Sequence, residues 1–165
     1  MRSILTSLTF WVFLVWTCIV LGAGLYESLA VWQLVAADPP RSLVATNQVL
    51  AVPERAGMFF WSWATPGLGL VGLAALLTSF GTPRPHMTWR IARTGLIFVA
   101  VAATLLYFRP TIIGLLVGHG GGQPDDVIAA QMSRWVTLNW VRATALAVSI
   151  GMGVRAALLL AGGRP

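Results

Sequence analysis

The sequence predicts an all-α integral membrane protein, a four-helix bundle whose N- and C-termini both lie on the cytoplasmic side. Of its 165 residues, 57% are hydrophobic and only 10% are charged, whereas soluble domains carry about 25% charged residues. Four apolar stretches reach the roughly 20 residues that a membrane span requires. They cover residues 4–34, 58–80, 91–108 and 135–161 of one transmembrane domain, which we expect to comprise residues 1–165.

The first stretch is the longest. It continues well past the 7–15 apolar residues of a signal peptide, so we expect an uncleaved first helix. Pro39-Pro40 should end this helix, because proline offers no N–H and the residue before a proline avoids the helical region. Residues 41–57 mix apolar with polar side chains. We expect this segment either to lie on the membrane surface or to fold back over the bundle.

Glycine and proline mark the remaining helix boundaries. The turn at residues 81–85 should separate helices two and three, and Arg109-Pro110 should end helix three. A glycine-rich turn follows at residues 118–122. Asp125-Asp126 suit a helix N-terminus, because negative charge is favourable there, so helix four should begin near Asp125.

Charge placement indicates the orientation. The short connection between helices two and three, together with the start of helix three, carries three of the eleven arginines (Arg84, Arg90 and Arg93), a positive-inside signal for the cytoplasmic side. With that orientation, all five acidic residues fall in the outer half of the protein. We therefore expect a multi-pass protein of the bacterial inner membrane, with the lipid bilayer as its main partner.

The candidate functional residues are polar groups at membrane depth. Glu27 lies late in the first helix, in the outer half of the bilayer or at its edge. On the fourth helix, Trp135, Asn139 and Arg142 follow an i, i+4, i+7 spacing and share one face. Intramembrane charges usually face inward and pair, so we expect Glu27 to pair with Arg142. Asn139 and Tyr26 would supply hydrogen bonds to this pair.

Two interpretations of the Glu27–Arg142 pair remain open. It is either a clamp between helices one and four, or part of a polar pocket open to the outer surface. In the pocket, Glu27 would accept a proton from an apolar substrate, and Tyr26, Trp135 and His119 are candidate substrate-binding residues. His119 can titrate near neutral pH, although a histidine in a glycine-rich turn is often simply solvated.

The sequence argues against several other classes of protein. The two histidines are expected on opposite sides of the membrane, and there is no paired cysteine, so we expect no metal site and no cofactor. The arginines are scattered singly rather than gathered into a stripe, which argues against nucleic acid as a partner despite the net charge of +6.

Three segments carry a resemblance to a known family. They are Gly22-Ala23-Gly24-Leu25-Tyr26-Glu27, Phe108-Arg109-Pro110-Thr111, and the Arg-Trp-(three residues)-Asn-(two residues)-Arg pattern from Arg134 to Arg142. In this layout the chain resembles the anthrone-oxygenase-like family of small four-helix membrane proteins. Some members are linked to oxidation of an anthrone to an anthraquinone by molecular oxygen, with no evident cofactor.

The sequence leaves two functions open, and the resemblance implies the first of them. In the first, an oxidoreductase acts on a hydrophobic aromatic or quinone-like small molecule, with Glu27 as the base and with Arg142 and Asn139 stabilising an enolate oxygen. In the second, the chain is a non-catalytic accessory subunit of a larger membrane complex, which suits its small size and short loops.

Overall fold

A computed structural model describes residues 2–49, 53–80, 82, 84–116 and 122–162 of the chain. Within these ranges the regular structure is entirely helical, which confirms the predicted fold class. Four helical stretches are long and apolar enough to cross a membrane: Ile4–Val35, Phe59–Leu77, His86–Leu116 and Asp125–Leu159. We call them spans one to four, and they confirm the predicted number of membrane-spanning helices.

Two of the four spans contain a short π-helical turn. Span one consists of α1 (Arg2–Tyr26), a π-helical turn π1 (Glu27–Val31) and α2 (Trp32–Val35). Span three consists of α5 (Arg84–Ala103), a second π-helical turn π2 (Thr104–Phe108) and α6 (Arg109–Leu116). Span two lies within α4 (Pro53–Leu77), and span four lies within α7 (Asp125–Gly162).

The prediction that Arg109-Pro110 ends helix three is wrong. Helical structure continues through Pro110 to Leu116. Proline normally interrupts a helix because it lacks the N–H that bonds one turn back and its ring crowds that turn. Here π2 directly precedes α6 and changes the backbone hydrogen bonding just before the proline. Neighbouring packing and such local π adjustments are what allow proline inside membrane helices.

The spans form a closed ring in which each helix contacts its neighbours along the chain. α1 packs on α4, α4 on α5, α5 on α7, and α7 returns to α1. Glycines allow α4 to approach α1 closely. A Cβ on Gly67 would lie only 3.1 Å from Trp16, and one on Gly72 would lie 3.2 Å from Phe13. Small residues at helix interfaces serve this purpose in membranes.

One end of the bundle carries the start of α1 and the end of α7, and we call it the termini end. The other end is covered by α3 (Arg41–Val49), and we call it the capped end. α3 contacts α2 and α6, and its Leu43 is only 1% exposed. Ser42 Oγ donates a 2.6 Å hydrogen bond to the Val35 carbonyl. We expected this segment either on the membrane surface or folded back over the bundle, and the structure shows α3 folded back over the bundle.

Large apolar side chains cover the outside of the bundle. Leu70 and Leu106 are 69% and 81% exposed, for example, and each belongs to a different span. Exposed leucines on every side of a bundle would be unfavourable in water but are the normal surface toward lipid tails. This surface indicates contact with a lipid bilayer.

Candidate functional site

A cluster of polar side chains lies inside the capped half of the bundle, around the carboxylate of Glu27. Glu27 is partly buried, and its Oε1 accepts a 2.7 Å hydrogen bond from the Trp61 indole N–H on α4. The Trp32 indole also lies near this carboxylate but makes no hydrogen bond of standard geometry to it. A short bond from a neutral N–H to a carboxylate is stronger than a bond between neutral groups. Trp61 therefore fixes the position of Glu27.

Arg142 on α7 provides the positive charge of the cluster. Its Nη1 donates a 3.1 Å hydrogen bond to Thr104 Oγ1, and its guanidinium lies 5.4 Å from the centre of the Trp61 ring and 5.0 Å from that of Phe108. The opposite charges of Glu27 and Arg142 attract each other across the cluster. The hydrogen bonds described above go to different partners, Trp61 for Glu27 and Thr104 for Arg142, and Trp61 is a neighbour of both charges.

Asn139 joins the fourth span to the first. Its Nδ2 donates a 2.8 Å hydrogen bond to Ser28 Oγ, which in turn donates a 2.7 Å bond to the Gly24 carbonyl. Gly24 also lies close to Arg142, since a Cβ there would be 3.7 Å from its Nη2. The structure thus places Asn139, Arg142 and Glu27 in one neighbourhood on facing helices.

Three polar atoms of this cluster are buried without a partner. In the part of the chain that the structure describes, Asn139 Oδ1, Arg142 Nε and Trp32 Nε1 have no hydrogen-bond partner. Leaving a buried polar group unsatisfied costs about 1–3 kcal/mol. The asparagine oxygen is an acceptor and the two nitrogens are donors, so together they suit a ligand that carries both kinds of group.

Aromatic rings form the wall of the cluster toward the capped end. The Trp135 indole N–H donates a 3.0 Å hydrogen bond to the Phe108 carbonyl, and its ring packs edge-on against Trp32 and Phe108, with centroids 4.6 and 5.8 Å away. Trp135 is only 4% exposed. These rings surround polar groups with low-dielectric material, which strengthens electrostatic interactions inside.

The two π-helical turns supply several members of the cluster. π1 begins at Glu27 and includes Ser28, while π2 begins at Thr104 and ends at Phe108. A π-helical turn shifts the following side chains around the helix axis, and such turns occur frequently at functional sites. Here both turns occur at the same level of the bundle and face the same cluster.

Of the residues predicted for the site, Tyr26 lies elsewhere. The Tyr26 side chain is 68% exposed and lies outside the cluster, although its neighbour Glu27 is part of it. Successive helical residues point about 100° apart, which explains the separation. His119 lies outside the described residues. Among the described residues, no group of three or more His, Cys, Asp or Glu lies close enough together to hold a metal ion.

Sequence reasoning missed four members of the cluster: Ser28, Trp61, Thr104 and Phe108. A tryptophan near a predicted membrane interface looks like part of an ordinary aromatic belt, and nothing in the sequence marks Trp61 as the donor to Glu27. Serine and threonine in membrane helices usually bond to their own backbone. The π-helical turns that aim Ser28 and Thr104 inward have no sequence signal that we recognise.

Comparison of the chain with known proteins finds no match among family models, curated proteins or solved structures.

Proposed function

We propose that the Glu27 cluster binds a hydrophobic aromatic or quinone-like small molecule and acts on it as a cofactor-independent oxidoreductase. The observation that supports this proposal is the presence of unpartnered buried atoms, among them Asn139 Oδ1 and Arg142 Nε, beside a carboxylate within an aromatic wall. A phenol or enol tautomer could donate to the asparagine oxygen, and a carbonyl or enolate oxygen could accept from the guanidinium. The resemblance of the chain to the anthrone-oxygenase-like family favours the same class of ligand.

The proposed reaction starts with a proton transfer. Glu27 accepts a proton from an activated carbon of the substrate, such as the methylene of an anthrone, and Arg142 stabilises the oxygen on which the negative charge collects. The resulting carbanion reacts with molecular oxygen. Overall, the methylene loses two hydrogens and becomes a carbonyl, so that one anthrone and one O₂ give one anthraquinone and one water.

The proposal includes an orientation. The capped end, which holds the cluster, faces the outside of a bacterial inner membrane, and the termini end faces the cytoplasm. Arg84 in the connection between spans two and three, with Arg90 and Arg93 in the first turns of span three, lies at the termini end, which supports this orientation through the positive-inside rule. A substrate dissolved in the outer leaflet would then reach Glu27 from the lipid side or from the capped end.

The decisive comparison is between Glu27→Gln and Asp38→Asn. Both changes neutralise a carboxylate in the capped half, but Asp38 is exposed and lies outside the cluster. Oxygen consumption by purified protein with an anthrone as substrate should fall at least about 100-fold in Glu27→Gln, the usual contribution of a general base. It should be unchanged in Asp38→Asn.

Equal turnover in wild type and a folded Glu27→Gln variant would contradict the role of Glu27 as the base. If the wild type neither bound nor oxidised any of a series of anthrones and hydroquinones, the small-molecule proposal would be wrong. Glu27 and Arg142 would then act as a clamp between spans one and four.

A further inference from the structure

A second charged cluster lies at the termini end of the bundle, away from Glu27. His86, Arg90 and Arg93 follow an i, i+4, i+7 spacing on span three and therefore share one helix face. Their side chains are 6%, 4% and 1% exposed, so all three are buried within the bundle. Lysine and arginine are almost never buried this far unless they are paired.

The protein itself supplies these side chains with few partners. Arg93 Nη2 donates a 3.3 Å hydrogen bond to Thr17 Oγ1, and Arg90 Nη2 donates a 3.3 Å bond to the Thr6 carbonyl. A guanidinium has five N–H donors. Within the described part of the chain, Arg93 Nε and His86 Nδ1 are buried and have no hydrogen-bond partner.

The two guanidinium groups also lie near each other. Both face the ring of Phe10, with centroid distances of 5.4 Å for Arg90 and 5.6 Å for Arg93, and their charges repel. Arg93 is also 4.2 Å from the centre of the Phe13 ring. Such cation–π contacts are weaker than the cost of removing a guanidinium charge from water, so they do not by themselves compensate for its burial.

Among the residues that the structure describes, no Asp or Glu lies at the termini end to balance these charges. The sequence has five acidic residues, and the chain places every one of them in the capped half: Glu27, Asp38, Glu54, Asp125 and Asp126. Buried charges within a membrane pair with an opposite charge or reach water. The described residues thus leave the cluster at the termini end without a balancing anion, and an anion from outside the chain would supply one.

The depth of the cluster indicates which anion is available. Span three begins at His86, and at 1.5 Å per residue Arg90 lies about 6 Å and Arg93 about 10 Å farther into the membrane. An arginine side chain at that depth can extend to the headgroup level. The group that an arginine fork recognises best there is a phosphate, whose oxygens match the guanidinium geometry.

We propose that His86, Arg90 and Arg93 form a phosphate-binding site at the termini end. The phosphate is carried by an anionic phospholipid or is free inorganic phosphate, and the two sources give different results in the test below. Arg90 and His86, nearer the membrane surface, contact the phosphate, and Arg93 adds the second positive charge behind them. This site is independent of the function proposed for Glu27.

Native mass spectrometry of the detergent-purified protein tests the proposal, with phosphatidylglycerol, phosphatidylcholine or inorganic phosphate added separately. Phosphatidylglycerol is the anionic probe, and phosphatidylcholine carries the same phosphate beside a neutralising cation. The variants are Arg90→Gln, Arg90→Lys and Arg155→Gln. Arg155 is the matched control, because it is an exposed arginine in the same half of the bundle.

We expect Arg90→Gln to weaken binding of the phosphate-bearing probe about tenfold or more, as the loss of a hydrogen bond to a charged group predicts. Arg90→Lys should restore part of the affinity, and Arg155→Gln should bind like the wild type. Preference for phosphatidylglycerol over phosphatidylcholine, without an effect of inorganic phosphate, identifies the lipid as the source. Binding of inorganic phosphate that lipid does not displace identifies the free ion.

Two results would overturn the proposal. One is a wild type that neither prefers phosphatidylglycerol over phosphatidylcholine nor binds inorganic phosphate, a measurement that does not depend on any variant folding. The other is an Arg90→Gln variant that keeps its helical circular dichroism and binds the probe as tightly as Arg155→Gln does.

Discussion

Replacing Trp61 with phenylalanine tests the central hydrogen bond of the Glu27 cluster. The change removes the indole N–H that donates to Glu27 Oε1 at 2.7 Å but keeps an aromatic ring near Arg142, whose guanidinium is 5.4 Å from the present ring centre. A hydrogen bond to a charged group contributes about 1.5–3 kcal/mol to stability. The free energy of unfolding should therefore fall by about this amount, because the carboxylate is left partly buried without its donor.

Trp63→Phe is the matched control for this variant. Trp63 lies two residues farther along α4 and is 68% exposed, on the outside of the bundle. Both variants lose the same atoms, so their difference in unfolding free energy, measured by titrating SDS into mild-detergent micelles, isolates the contribution of the site. Equal stability of the two variants within about 0.5 kcal/mol, the usual range for surface changes, would refute the assigned role of Trp61.

Two further predictions concern packing. Gly153→Ala should lower the free energy of unfolding by about 1–3 kcal/mol, because the added Cβ would lie 3.0 Å from Leu14 and 3.2 Å from Arg93. Gly151→Ala is the control and should have little effect, because a Cβ at that position would have no atom within 4 Å. An equal response of the two glycines in the same SDS titration would contradict this packing. Leu43→Ala should lower the free energy of unfolding by about 2–5 kcal/mol, as for other buried leucines. It should also speed proteolysis of α3. Val44→Ala, at an exposed position, should lower the free energy of unfolding far less. Equal proteolysis rates in Leu43→Ala and Val44→Ala would show that Leu43 does not hold α3 in place.

Most of the fold could be predicted from the sequence, because membrane spans depend on a simple physical requirement. A chain that crosses lipid must satisfy its backbone within one helix, and only long apolar stretches can do so. The four spans follow from that rule, and the start of α7 at Asp125 follows from the favourable charge at a helix N-terminus. The glycines of α4 also pack against span one as small residues at membrane interfaces do.

Local backbone geometry could be predicted less well from the sequence. Pro110 predicts the end of a helix from its chemistry alone, yet the preceding π2 turn and the packing of α6 let the helix continue. The position of α3 was also open, because its mixed composition suits either the membrane surface or the top of a bundle. Burial of Leu43 against the capped end decides between these positions, and that contact depends on tertiary structure.

The candidate site was predicted in part. Glu27, Asn139 and Arg142 stand out in the sequence because polar groups at membrane depth are costly and usually face inward. Trp61 and Thr104 do not, since a tryptophan or a threonine is unremarkable in a membrane helix. Their roles follow from hydrogen bonds to Glu27 and Arg142 across more than 30 residues of sequence, at separations of 34 and 38.

Native mass spectrometry of the protein, purified gently from its own membranes, tests most directly whether the Glu27 cluster is a ligand site. Wild type and Glu27→Gln would be compared for bound small molecules and for co-purifying proteins. The proposed function predicts a wild-type protein that carries an aromatic or quinone-like compound, lost or reduced in Glu27→Gln. A stoichiometric larger complex, with no such compound in the wild type, would contradict the proposal and favour an accessory subunit in which Glu27 and Arg142 only join the helices.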